Sequence, residues 1–93
     1  MTAEPLGDRL EVHVGYMGLE CLQAIERVLP RQVGAQSVAK ATVVHDGGMH
    51  LSVLFYAGTD PVQALAVVNS AAYVALSTGA YEHFLSNHWI VSG

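Results

Sequence analysis

The chain has 93 residues, a net charge of −4, and 13% charged against 52% apolar residues. That length makes one domain, and its four basic residues, Arg9, Arg27, Arg31 and Lys40, are scattered, which argues against nucleic acid as a partner because phosphate neutralisation dominates such binding. A soluble domain normally carries ~25% charged residues; here there are too few to coat a small sphere, so some apolar surface is expected to meet a partner subunit or another protein.

Residues 1–8, "MTAEPLGD", read as a flexible lead-in, with a single domain over 9–93. They show neither a basic n-region nor an apolar h-region, so no secretory signal is expected and the cytoplasm is the default location. "RLEVHVGYM" (9–17) alternates, with Leu10, Val12, Val14 and Tyr16 on one side and Glu11, His13 and Gly15 on the other: a strand with one face on a core. At Gly18 the period changes. Leu19, Leu22, Ile25 and Leu29 recur at three- and four-residue steps, predicting an amphipathic helix that ends at Pro30. Cys21, the only cysteine, lies in this helix; it allows no internal disulfide and reads as a small buried hydrophobe.

After a loop (31–36), "SVAKATVVHD" (37–46) is β-rich, Gly47-Gly48 reads as a two-residue hairpin turn, and "MHLSVLFYA" (49–57) is the returning strand. That turn would pair His45 with His50, Val44 with Leu51 and Ala41 with Leu54. It gives a hairpin that is apolar on both faces, Val44, Thr42, Leu51, Val53 and Phe55 on one and Ala39, Ala41, Val43, Leu54 and Tyr56 on the other. Helices cover only one face, so the second is expected to need a cover.

"TDPVQ" (59–63) is a helix start: Asp60 can cap, Pro61 suits the first turn, and Gln63 occupies the reciprocal position. The helix is expected over 61–78, with Gly79 as its C-cap. No charge lies between Asp60 and Glu82, a stretch long enough to span a bilayer. Gln63, Asn69, Ser70, Ser77 and Thr78, the cap and the lack of a basic flank argue instead for a soluble helix, with no membrane partner. It is apolar all round. Leu65, Val68, Ala72 and Leu76 form the stripe assigned to the sheet. Val67, Ala71, Val74, Ala75 and Gly79 form a second stripe assigned, with Leu54 and Tyr56 of the hairpin, to an interface. "AYEHFLSN" (80–87) is a second short helix or a continuation past a kink, and "HWIVS" (88–92) a final strand.

The order strand, helix, strand, strand, helix, strand predicts an α+β, ferredoxin-like split βαββαβ fold: a four-stranded antiparallel sheet with two helices on one face. Chemistry-bearing residues are few. His45 opposite His50, beside Asp46, are weak metal candidates, short of the three or four ligands zinc needs. Tyr81, His83 and His88 are weak catalytic candidates, because no nucleophile motif or glycine-rich phosphate loop accompanies them. No cofactor is implied.

Three resemblances bear on function. The stretch "VGYMGLECLQAIERVLPRQV" (14–33), through Gly18, Leu19, Leu22, Ile25, Leu29 and Pro30, resembles the opening of phage tail-completion (neck) proteins and implies a structural role in a larger assembly; the downstream Ala-Pro and Thr-Gly element of that family is missing. The βαββαβ order is similar to that of ACT-type ligand-binding domains, which implies a small-ligand site at Met17 and Gly18 across a dimer interface. It is also similar to that of dimeric α+β barrel enzymes, which implies a pocket between sheet and helices served by His83 or His88. The leading expectation is a small, non-enzymatic module acting through self-association or protein–protein contact, a homo-oligomer using helix 61–78 and an apolar sheet face.

Overall fold

The computed structural model describes residues 9–15, 17–45 and 48–92; the lead-in, Tyr16, Asp46 and Gly47 lie outside them. The elements are β1 (Leu10–Gly15), α1 (Leu19–Val28), β2 (Val38–Val44), β3 (His50–Phe55), α2 (Pro61–Ala75), α3 (Thr78–Ser86) and β4 (His88–Ser92). All strand pairs are antiparallel, in a single four-stranded sheet of order β2-β3-β1-β4. The class is α+β, as the alternation of periods predicts, but the described chain has three α-helices rather than two.

The core follows from the pleat. Leu10, Val12 and Val14 of β1 and Leu51, Val53 and Phe55 of β3 share one face and are buried with Leu22, Ile25 and Leu29, with Val67, Val68, Ala71 and Ala72 of α2, and with Phe84 of α3. Each large side chain taken fully out of water contributes about 1.5–3 kcal/mol. No buried polar or charged residue interrupts this cluster among the described residues.

Helix α1 starts at Gly18, whose carbonyl accepts from the N–H groups of Cys21 and Leu22. The helix stops at Val28, and Pro30 sits in a 3-10 turn over Leu29–Arg31. A second 3-10 turn, Ala35–Ser37, leads into β2. At α2 the Asp60 side chain makes no cap bond. Its backbone carbonyl accepts from Ala64 N–H at 2.9 Å, and Pro61 supplies the preset φ of the first turn.

Two sequence expectations are corrected. The hairpin is out of the expected register by one residue: Val44 lies opposite His50, Val43 opposite Leu51, Thr42 opposite Ser52 and Ala41 opposite Val53. The connection is five residues long, 45–49, rather than two, with Gly48 at φ 113 near its end. A one-residue slip moves every side chain of a strand to the other face. Ala41 and Val43 therefore point to the core, together with Val38 beyond a bulge between Val38 and Lys40. Lys40, Thr42 and Val44 point away, so the hairpin does not have two apolar faces.

The helix expected over 61–78 ends at Ala75. Leu76 and Ser77 are extended, and α3 begins at Thr78. The Ser77 hydroxyl accepts from Ala80 N–H at 3.4 Å, a cap for a new helix. Gly79 accordingly lies in the first turn of α3 and does not terminate α2. No helix among the described residues is long and apolar enough to cross a membrane.

Candidate functional site

A gathering of polar and aromatic side chains lies on the sheet face turned away from the core. Pairing places Lys40, Leu54, Glu11 and Val91 in one row, Thr42, Ser52, His13 and Trp89 in the next, and Val44, His50 and Gly15 in a third. The His13 ring stacks on His50 at 5.2 Å on one side and on Trp89 at 5.5 Å on the other. Gly15 makes room for this: a Cβ there would stand 3.1 Å from the Trp89 ring. Ser52 donates to Glu11 Oε2 at 2.7 Å, and the other Glu11 oxygen lies 3.7 Å from His13 Nε2. The carboxylate thus sits between hydroxyl and imidazole. A hydrolytic triad needs the imidazole in the middle to take the proton from the hydroxyl, so this trio is a polar brace rather than nucleophilic machinery.

The expected catalytic residues do not converge. The Tyr81 hydroxyl donates to Asn69 Oδ1 at 2.8 Å and its ring stacks on Phe84. His88 stacks on Phe84 at 4.8 Å, with Nδ1 3.0 Å from the Phe84 carbonyl. His83 is exposed on α3, where its carbonyl accepts from the Asn87 amide. Tyr81 and His88 therefore pack on opposite sides of one buried phenylalanine. The pairing of His45 with His50 is lost with the register: His45 is exposed beyond β2, and Val44 faces His50. Among the described residues, no three of His, Cys, Asp and Glu are grouped to hold a metal ion.

Of the expected interface residues, Val67 and Ala71 are buried inside the chain itself and offer no surface. Ala75 is half-buried against the core, Gly79 is exposed on α3, and Leu54 is half-buried on the outward sheet face. Val74 (63% exposed) and Tyr56 (53%) remain exposed. Met17 packs against the core and Gly18 is exposed. The space between sheet and helices, where the barrel resemblance expects a pocket, is filled by Leu22, Ile25, Phe55, Val68 and Phe84.

Open grooves lie at the periphery. One of about 350 Å³ runs between the end of α1 and the bulged β2, lined by Leu29, Pro30, Val38 and Ala41 with Glu26 and Lys40. Another, of about 390 Å³, is apolar and shallow and lies between α2 and α3, lined by Val62, Leu65, Ala66 and Leu85 with Asn69 and His88.

The exposed apolar surface of β4 is not among the residues expected from the sequence. Trp89 (42% exposed), Ile90 (38%) and Val91 (36%) present apolar side chains on both faces of an edge strand. The signal was present in "HWIVS", five residues without Asp, Glu, Lys or Arg. Strand order, which makes this strand an edge, was not. Compared with models of protein families, with curated proteins and with solved structures, the chain matches none.

Proposed function

We propose that this chain is a small, non-enzymatic module that works by assembling with copies of itself. Its fold is read as the ferredoxin-like split βαββαβ arrangement with α3 added between α2 and β4; the strand order β2-β3-β1-β4 supports that reading. The observation that carries the functional reading is the concentration of large apolar side chains on the outside. Val62, Tyr73 and Val74 project from α2, Leu85 from α3, and Trp89, Ile90 and Val91 follow one another in β4. Scattered exposed apolar residues are normal, but runs of them on adjoining elements mark association surfaces. The dispersal of Tyr81, His83 and His88 gives the enzymatic alternatives no comparable support.

Sedimentation equilibrium across nanomolar to high-micromolar concentration tests the proposal. The expected outcome is a mass above the 9.9 kDa of one chain that falls towards it on dilution. A single 9.9 kDa species throughout would remove self-association as the function.

A further inference from the structure

We infer that two copies join edge to edge through β4, extending the sheet to eight strands about a two-fold axis at Ile90. This rests on the self-association proposed above and names its seam. Among the described residues the sheet has two edges, β2 and β4. An edge strand presents unpaired N–H and C=O groups, and natural sheets blunt it with charge, proline or a bulge. On the edge strand β2, the exposed Lys40 and the bulge between Val38 and Lys40 do this. On β4 none of these devices is present: its pairing with β1 is regular from His88 to Ser92, and "HWIVS" has no proline and no Asp, Glu, Lys or Arg.

The strand is also complementary to itself. In an isologous antiparallel pair the same surface serves both copies, and directly opposed residues share a sheet face. Centring the pair on Ile90 sets Ile90 against the partner's Ile90 on the core side and Trp89 against the partner's Val91 on the outward side. An aromatic opposite a β-branched residue is a favourable cross-strand pair. No like charges meet, because the seam has none of Asp, Glu, Lys and Arg. The alternation in register carries this: Trp89 and Val91 lie opposite His13 and Glu11 of β1 on one face, and Ile90 opposite Val12 on the other. A register shifted by one would set Ile90 of one copy against Val91 of the other, and the two open faces would not match. The stack of Trp89 on His13 and its cover over Gly15 hold the indole in place before the partner arrives, which lowers the ordering cost of association. A five-residue seam is at the small end of specific interfaces, so the dimer is a concentration-dependent one.

The test is a charge exchange at the axis. Ile90→Lys and Ile90→Glu each place like charges directly opposite one another in the homodimer, at a side chain that is 38% exposed in the single chain. Each variant alone is expected to associate at least about tenfold more weakly than the parent, and an equimolar mixture to recover a dimer. The unmodified chain supplies a second readout. Trp89 is its only tryptophan, so its emission is expected to shift to the red on dilution, at the concentration where the mass falls. If the parent dimerises while both variants dimerise equally well, or if its mass falls with no change in Trp89 emission, the seam lies elsewhere and the assembly reading survives. If the parent is monomeric throughout, both fall together.

Discussion

Gly34 holds the joint between α1 and β2 in a conformation that side chains resist. Its φ is 90, and a Cβ there would overlap Gln63 Nε2 and stand 3.0 Å from Val67 Cγ2. Around it, Gln32 works in two directions. Its amide donates to the Val28 carbonyl at 2.9 Å, while its side-chain oxygen accepts from the Ser70 hydroxyl at 2.6 Å. One loop residue thereby ties the end of α1 to the middle of α2. Gly34→Ala adds left-handed strain of about 1–2 kcal/mol to a contact with α2 that must yield. The expected loss is about 2 kcal/mol, seen as a drop in Tm of roughly 8–16 °C for a domain of this size. An unchanged melting curve would mean that loop and helix are not packed as described.

At the level of elements, α3 is anchored by one buried ring. Phe84 is fully buried, stacked by Tyr81 on one side and His88 on the other. Phe84→Ala should cost about 3–5 kcal/mol, a large part of the 5–15 kcal/mol that usually holds a domain together. Tyr81→Phe keeps the ring and loses only the bond to Asn69, so about 1 kcal/mol is expected. Urea unfolding separates the two, and similar midpoints for both variants would contradict the packing described. These elements were unevenly legible. The alternation of β1 and the three-to-four spacing of α1 name their buried faces directly, and Val12, Leu22 and Ile25 are in the core as expected. Helix α2 has no polar side to give its phase, so only packing could decide that Val67 and Ala71 turn inward. Its end was hidden for a related reason: Ser77 and Thr78 read as further uncharged helix, whereas the Ser77 hydroxyl starts a new one. The hairpin register is hidden because Gly47-Gly48 by itself satisfies a two-residue turn, whereas the connection is five residues long.

For the whole molecule, the strand order matters more than any one contact. β1 lies between β3 and β4, pairing Leu10 with Phe55 on one side and with Ser92 on the other. Both pairings are distant in sequence, and non-local pairings of this kind slow folding relative to helical bundles. Trp89 reports on the later pairing through its contact with His13 and Gly15. In stopped-flow refolding its emission is expected to recover no earlier than the far-UV circular dichroism of the helices; recovery ahead of it would mean that the β1–β4 ladder nucleates the fold.

The place of β1 has a consequence during synthesis. It is made first among the strands, yet the partner for one of its edges is made last. A nascent chain that has completed the β2–β3 hairpin and α2 still carries β1 with an open edge, beside a core not yet closed by Phe84. Such intermediates attract strands from neighbouring chains. For this protein the exposure to misassembly at the ribosome therefore grows with the time needed to translate from Leu76 through β4.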